Sequence, residues 1–133
     1  MAKGILGVVA GLLAFMAVVF VAGIIMRGTW PDYARVADAM TFTLPMMIAR
    51  LTIGALATIA AGLVTAAIAK PSTLVRLVPG LLLLAAFIPQ HIMLWAKFPV
   101  WYHLTFLLSL VPLTYLGGGA VSRASTSAAP SRS

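Results

Sequence analysis

The sequence predicts an all-α integral membrane bundle of four transmembrane helices, with a short interfacial helix in the first loop and a disordered C-terminal tail. Hydrophobic residues make up 62% of the 133-residue chain and charged residues only 8%, whereas a soluble domain carries about 25% charged residues. The apolar residues are concentrated in four stretches. Each stretch is close to the roughly 20 residues that a helix needs to cross the hydrocarbon core. The length allows one domain, and lipid is the expected solvent for most of it.

The first predicted span covers residues 4–26 and contains no charged residue. The apolar core of a signal peptide has about 7–15 residues, so we interpret this longer stretch as a retained transmembrane helix. Polar residues 27–40 follow and contain both acids of the chain, Asp32 and Asp38. The Trp-Pro-Asp sequence that ends at Asp32 is typical of a helix start, because proline is tolerated there and a carboxylate stabilises the positive end of the helix dipole. We therefore expect a short interfacial helix in this loop.

The second and third predicted spans are separated by a short basic connection. The second span covers residues 44–69 and ends at Lys70-Pro71. Pro45 falls in its first turn, where a missing backbone N–H leaves no helical hydrogen bond unmade. The third span covers residues 74–95.

The fourth predicted span covers residues 99–117 and is followed by a run of glycines, Gly117-Gly118-Gly119. Because glycine is common at helix ends, we expect this run to stop the helix and act as a hinge. Residues 118–133 are rich in Ser, Ala and Gly, a composition that predicts a flexible polar tail. The four-helix transmembrane domain is accordingly assigned to residues 1–117.

The distribution of positive charge predicts the orientation of the bundle. An even number of spans places both termini on one side of the membrane, and that side carries more Lys and Arg and neither acid. Since positive residues in short loops are retained in the cytoplasm, both termini are expected there. The terminal side holds Lys3, Lys70, Arg76, Arg123 and Arg132, and the other side holds Arg27, Arg35 and Lys97. The composition of the spans resembles that of small four-helix inner-membrane proteins of bacteria, so we expect a bacterial inner membrane.

The second span has two faces when successive residues are placed about 100° apart on a helix. Small side chains fall on one face and bulky aliphatic side chains on the other, and the first span also carries a small pair. In a membrane, small residues mark the places where helix backbones approach closely. The pattern therefore favours packing through helices one and two, against a second copy or within a larger complex. The predicted helix-packing residues are Gly7, Gly11, Gly54, Thr58, Ala61 and Gly62.

Arg50 lies on the small face of the second helix, about 9 Å along the helix from its expected start at Leu44. An arginine at mid-bilayer costs about 2.5–3.5 kcal/mol on insertion scales, and less near an interface or when paired. Three interpretations stay open. The side chain reaches the outer headgroups and anchors a lipid phosphate, or it pairs inside the bundle with Asp32, Asp38 or a freed carbonyl, or it binds a substrate or ion.

Most other polar side chains gather at the same membrane face as Arg50. The connection between the third and fourth spans is tight, so His91 and His103 are expected to approach each other. They are interpreted as part of an interfacial aromatic belt, as a proton-transfer site or as ligands of a metal, although no tight metal-binding spacing supports the last. The candidate polar cluster comprises Arg50, Gln90, His91, Tyr102, His103, Asp32 and Asp38.

Several protein classes are excluded by residues that the chain lacks. It has no cysteine, which excludes thiol catalysis and the quinone-linked disulfide-forming proteins. Its first span has no glutamate of the kind that small multidrug exporters require, and no Gly-rich motif ending in arginine like that of four-helix fluoride channels. The positive residues form no stripe that nucleic acid would follow.

The function expected from these patterns is non-enzymatic, with no cofactor and no metal. The favoured hypothesis is an oligomerising or accessory subunit, a homo-oligomer or a member of a larger membrane complex. The alternative is a small transporter or channel with a polar outer-leaflet vestibule for an anionic or polar solute. A membrane enzyme that uses a histidine as acid or base is a third hypothesis, for which we find no nucleophile and no paired carboxylates.

Overall fold

The computed structural model describes residues 2–69 and 72–128, with side chains to residue 121. The all-helical prediction is confirmed over this part of the chain, in which no strand is present. Four helices are long and apolar enough to cross a membrane, over Ala2–Thr29, Leu44–Ile68, Thr73–Met93 and Val100–Val121. The predicted end of the second span at Lys70-Pro71 lies outside the described residues. The helices are α1 (Ala2–Thr29), α2 (Pro31–Val36), α3 (Leu44–Ile68), α4 (Thr73–Met93) and α5 (Val100–Ala128), with a 3-10 helix, Trp95–Lys97, before α5.

Local signals in the sequence account for where three of the helices begin. Proline occupies the first turn of both α2 and α3, where its fixed φ suits a helix and its missing N–H is harmless. The Ser72 hydroxyl caps α4 by accepting a hydrogen bond from the Val75 N–H at 3.2 Å. The six-residue helix α2 occupies the loop where a short interfacial helix is expected, and its location at a membrane interface stays a prediction.

Helix α3 is the central element of the bundle. It packs against both α1 and α5, while α4 packs mainly against α5 and only lightly against α1. Gly7 near the start of α1 faces Ala69 just after α3, and Gly118 in α5 faces Arg76 in the first turns of α4. The four long helices therefore alternate in direction, and the start of α1 and the C-terminal part of α5 lie at the same end.

Small residues bring the helix backbones close together inside the chain. A Cβ on Gly7 of α1 would lie 2.8 Å from the carbonyl oxygen of Thr65 in α3, and one on Gly62 of α3 would collide with the backbone of Thr114 in α5. The expected approach of helices at small residues thus takes place within a single copy. The predicted packing residues Gly7, Gly11, Gly54, Thr58, Ala61 and Gly62 are all buried.

The prediction that Gly117-Gly118-Gly119 ends the last helix is wrong, because α5 continues to Ala128. The three glycines serve close packing. A Cβ at Gly117 would collide with the carbonyl oxygen of Ile59 in α3, and one at Gly119 would collide with the guanidinium of Arg76. The predicted domain end at residue 117 therefore falls inside a helix, and residues 129–133 of the predicted tail lie outside the described residues.

The bundle has a small apolar core and an apolar outer surface. Phe15, Leu83 and Leu110 are buried together with two alanines of α3. On the outside, large apolar side chains such as Phe20 and Leu108 are 69% and 70% exposed. Soluble monomers rarely expose large contiguous apolar patches, so this surface suits contact with lipid chains.

Candidate functional site

A cavity of about 160 Å³ lies between the four long helices, at the end of the bundle away from the start of α1. Its wall toward the core is formed by Phe15, Phe87 and Phe106. These rings pack edge to face, with centroids 5.6 Å apart for Phe15 and Phe87 and 5.0 Å apart for Phe87 and Phe106. The polar groups on the lining are those of Tyr33, Arg50, Gln90, His91 and Tyr102. The cavity is therefore a mainly apolar pocket that carries five polar side chains and is closed on its inner side by aromatic rings.

The guanidinium of Arg50 is half-buried between the helices. Its Nη1 donates a hydrogen bond to the Tyr33 hydroxyl of α2 at 2.7 Å, and its Nε donates to the Tyr102 hydroxyl of α5 at 3.3 Å. Its central carbon lies 4.5 Å from the centre of the Phe42 ring, within the range of a cation–π interaction. These three contacts fix Arg50 against two other helices and one loop, with its side chain directed inward.

Of the three open interpretations of Arg50, pairing with Asp32 or Asp38 is wrong. Asp32 forms an ion pair with Arg35, and Asp38 forms one with Arg27 at 3.2 Å. The side chains of Asp32 and Asp38 are 63% and 90% exposed. The reason is local, since α2 turns Tyr33 into the bundle and its neighbour Asp32 outward, where the carboxylate keeps its hydration instead of losing it on burial.

His91 and His103 form a buried pair, which confirms the expected approach of the two histidines. The Nδ1 atoms of the two rings are 2.7 Å apart. The Nε2 atom of His103 lies 3.3 Å from the backbone carbonyl oxygen of Trp95, and the Trp95 and His103 rings stack with centroids 4.6 Å apart. His103 is completely buried and His91 is 8% exposed, so neither ring belongs to an exposed interfacial belt.

A metal ion does not fit between these two histidines. Ligand nitrogens on a tetrahedral zinc, at bond lengths of about 2.0–2.1 Å, lie roughly 3.3 Å apart, whereas the His91 and His103 Nδ1 atoms are at hydrogen-bond distance. Within the described part of the chain, no three residues of the His, Cys, Asp and Glu types gather at a possible metal site.

Gln90 and Tyr102 complete the polar lining in different ways. Gln90 is exposed at the rim of the cavity. Tyr102 is buried and lies between Arg50 and His91. Its hydroxyl accepts a hydrogen bond from Arg50, and its ring stacks near the His91 ring with centroids 6.3 Å apart. Tyr102 thus connects Arg50 to the histidine pair. Of the seven residues of the predicted cluster, the structure brings together Arg50, Gln90, His91, Tyr102 and His103 and leaves the two aspartates at the surface.

Two contributors to the site, Tyr33 and Phe42, are not among the predicted site residues. Both are aromatic residues in the polar connection between the first two spans, where a position at the headgroups is the default expectation. Their rings stack with centroids 5.2 Å apart, and Tyr33, Ala37 and Met46 form a small buried cluster. The spacing of Tyr33 and Ala37 by one helical turn is the signal in the sequence that the loop packs onto the bundle.

No known protein family, curated protein or solved structure matches this chain.

Proposed function

We propose that this chain is a small membrane transporter or channel that binds an anionic or polar solute in the cavity beside Arg50. The observation that carries the proposal is the environment of that arginine. Its hydrogen-bond partners are the two phenol hydroxyls of Tyr33 and Tyr102, while both acids of the chain pair with other arginines. A negative charge on the solute would complete the site.

The hydrogen-bonding capacity of Arg50 supports an anion as the missing partner. A guanidinium has five N–H donors in a planar fork and no acceptor. Nε and Nη1 are used by the tyrosines, and Nη2 makes no hydrogen bond to the described residues. Buried charges in proteins are usually paired, and arginine matches the geometry of planar oxyanions with two parallel hydrogen bonds. An oxyanion in the cavity would therefore accept hydrogen bonds from the Arg50 N–H groups that make none to the described residues.

The aromatic wall of the cavity favours a transporter over an open channel. Phe15, Phe87 and Phe106 separate the polar lining from the core, and the core itself is filled by aliphatic side chains. A solute that enters the cavity must then wait for these rings to move before it passes further. Gated access of this kind is how alternating transporters isolate a site from one side of the membrane.

The accessory-subunit hypothesis is no longer supported by the pattern of small residues. Its basis was the small faces of the first two spans, and those faces are occupied by packing between α1, α3 and α5. An assembly would have to use the outer apolar faces, which are equally suited to lipid. A specific cavity supports the solute-binding proposal, whereas no specific surface of the described residues supports the assembly hypothesis.

We also propose that the chain lies in a bacterial inner membrane with both termini in the cytoplasm, because the excess of positive residues is on the terminal side. The lack of native cysteine makes this easy to test with single-cysteine variants. An impermeant thiol reagent added to intact cells should label Ala96→Cys, near the cavity end, and spare Thr73→Cys at the other end. The reverse pattern would invert the orientation.

The main test is anion binding by the full chain in phosphatidylcholine nanodiscs, with nitrate as the probe. Wild type should bind nitrate, and Arg50→Gln should weaken that binding by at least about tenfold, the factor expected for losing one charge-assisted hydrogen bond. Arg76→Gln is the matched control, because Arg76 is also partly buried but contacts Tyr115 at the opposite end of the bundle. The control should bind nitrate like wild type.

A lipid headgroup is the other source of an anion for Arg50, and the same variants separate the two. If the site holds a lipid phosphate, native mass spectrometry will show phosphatidylglycerol retained by wild type and lost from Arg50→Gln, with no nitrate binding by either. Nitrate binding that depends on Arg50, followed by Arg50-dependent anion flux in proteoliposomes, is the result expected here. Equal nitrate binding by wild type and Arg50→Gln would contradict the proposal.

A further inference from the structure

The contacts of the His91–His103 pair determine where its protons lie. The Nε2 atom of His103 faces the Trp95 carbonyl oxygen at 3.3 Å, which only accepts hydrogen bonds, so this nitrogen carries the proton. A neutral imidazole has one donor and one acceptor, and Nδ1 of His103 is consequently the acceptor. The nitrogen that faces it at 2.7 Å, Nδ1 of His91, must then be the donor.

The same reasoning assigns a lone pair to Nε2 of His91. With its proton on Nδ1, neutral His91 has an unprotonated Nε2. The opposite arrangement, with the shared proton on His103 Nδ1, would leave two lone pairs facing each other at the Trp95 carbonyl. His91 Nε2 makes no hydrogen bond to the described residues, and His91 lines the cavity. His91 therefore brings a ring nitrogen with a lone pair to the lining that also carries the donors of Arg50.

The surroundings of His91 contain no carboxylate that would satisfy or protonate this nitrogen. Helix α3 contributes Arg50, α5 contributes Tyr102 and His103, and α2 contributes Tyr33. Gln90 lies beside His91 on α4, and the part of α1 that lines the cavity carries only apolar side chains and Gly23. Both aspartates are engaged at the surface. Donors and a single basic acceptor thus share one small space.

We propose that the solute is a small oxyanion that still carries a proton, a hydrogen oxyanion of the hydrogencarbonate or dihydrogen phosphate type. This inference rests on the proposed anion binding at Arg50. The charged oxygens accept hydrogen bonds from the Arg50 guanidinium, and the remaining O–H donates to Nε2 of His91. Tyr102, which contacts both residues, holds the donor and the acceptor in one fixed arrangement.

The proposal predicts that the site distinguishes between solutes of the same charge and similar shape. Nitrate and hydrogencarbonate are both planar monoanions of three oxygens around a central atom, and only hydrogencarbonate has an O–H. The phosphate of a phosphodiester lipid also lacks an O–H, so the site should select against that phosphate. Nitrate is the more weakly hydrated ion and loses less on entering a cavity, so a preference for hydrogencarbonate requires a specific partner for the O–H.

The test compares the two anions on the full chain in phosphatidylcholine nanodiscs at a pH where hydrogencarbonate predominates. Wild type should bind hydrogencarbonate about tenfold more tightly than nitrate, the factor expected for one additional hydrogen bond to a charged group. In His91→Phe this preference should be lost, so that the ratio of hydrogencarbonate to nitrate affinity falls to about one. Phenylalanine suits the position because the His91 ring already stacks on Phe106 with centroids 4.9 Å apart.

Imidazole nitrogen NMR of wild type gives a second readout that needs no variant. The chain has two histidines, so labelled histidine reports on this pair alone. The spectra should show His91 protonated on Nδ1 and bare on Nε2, with the Nε2 signal shifting on addition of hydrogencarbonate and not of nitrate. A His91 protonated on Nε2 in the free protein would overturn the inference.

The outcomes distinguish this inference from the proposed function. Equal, Arg50-dependent binding of both anions would overturn the requirement for an O–H and leave anion binding at Arg50 intact. Failure of wild type to bind either anion would overturn both. Preference for hydrogencarbonate that disappears in His91→Phe, together with the expected NMR signals, would establish both.

Discussion

The site depends on one guanidinium held by two phenols. Tyr33 and Tyr102 approach Arg50 from different helices, and the Phe42 ring covers its face. Phenol hydroxyls accept from the guanidinium without neutralising its charge, so the positive potential remains available to a ligand. A carboxylate in the same place would compensate this charge. Under the proposed function, tyrosine in place of aspartate leaves the charge of Arg50 available to bind an anion.

Removing either hydroxyl should weaken anion binding by letting Arg50 move. We expect Tyr33→Phe to reduce nitrate affinity by about three- to tenfold, because a hydrogen bond to a charged group contributes about 1.5–3 kcal/mol and part of it is recovered by reorientation. Tyr102→Phe should have a smaller effect, since its hydrogen bond is longer, 3.3 Å against 2.7 Å. Nanodisc titrations with nitrate measure both.

Tyr115→Phe is the control for the tyrosine variants, because the Tyr115 ring and carbonyl contact Arg76 while the cavity lies at the other end. It should bind nitrate like wild type. Wild-type affinity in both Tyr33→Phe and Tyr102→Phe would show that the hydroxyls do not position Arg50.

The sequence identifies Arg50 and the histidines but not the partners of Arg50. An arginine in an apolar span stands out because inserting its charge into the bilayer costs free energy. The two histidines are predicted to meet because the connection between their spans is short. Tyr33, in contrast, reaches Arg50 only because the loop folds back over the bundle, helped by a left-handed turn at Met40 with φ of 56°. Such a turn at a non-glycine residue is not predictable from residue type, since few non-glycine residues adopt it.

At the scale of the helices, glycine positions decide how closely the elements approach. Gly11 of α1 meets Thr65 and Ala61 of α3, and Gly62 of α3 meets Thr114 of α5. Between helices in lipid, where a hydrophobic driving force is lacking, close contact of this kind is a main source of association. Helix α3 is central because it carries small residues toward both neighbours.

Gly62→Ala should destabilise the protein because its Cβ has no room beside the Thr114 backbone. We expect a loss of about 1–3 kcal/mol, the usual effect of overpacking a well-packed site, reduced by the better helix propensity of alanine, about 1 kcal/mol. Unfolding of the purified chain in detergent by denaturant, followed by circular dichroism, measures the change.

The matched control is Gly4→Ala, since a Cβ on Gly4 meets no atom within 4 Å. This variant should be neutral or slightly more stable than wild type. If Gly62→Ala unfolds at the same denaturant concentration as Gly4→Ala, close packing at α3 and α5 is not what holds the bundle together.

The three glycines of α5 show why the sequence pattern predicts a helix end in the wrong place. A run of glycines predicts a helix end, because the sequence alone does not indicate whether another backbone lies close by. At Gly117 and Gly119 the reason for glycine is the carbonyl of Ile59 and the side chain of Arg76, and both come from other helices. The existence of the four long helices follows from local composition, whereas the role of each small residue depends on its tertiary neighbours.

At the scale of the whole molecule, the two ends of the bundle differ in chemistry. One end carries the cavity with Arg50 and the histidine pair. At the other end Arg76 donates to the Tyr115 carbonyl oxygen and lies over the Tyr115 ring, with 3.6 Å between its central carbon and the ring centre. Among the described residues both guanidiniums have only neutral partners, and Arg50 differs from Arg76 in lining the cavity. The proposed function therefore places solute binding at the Arg50 end.

The central claim is that an anion binds beside Arg50, and locating the anion tests it most directly. Crystals of the full chain grown from lipid in the presence of bromide should show one anomalous bromide peak in the cavity, within hydrogen-bond distance of the free side of the Arg50 guanidinium. The same peak should be absent from Arg50→Gln and present in Arg76→Gln. An empty cavity in wild type, or a peak that persists in Arg50→Gln, would contradict the account.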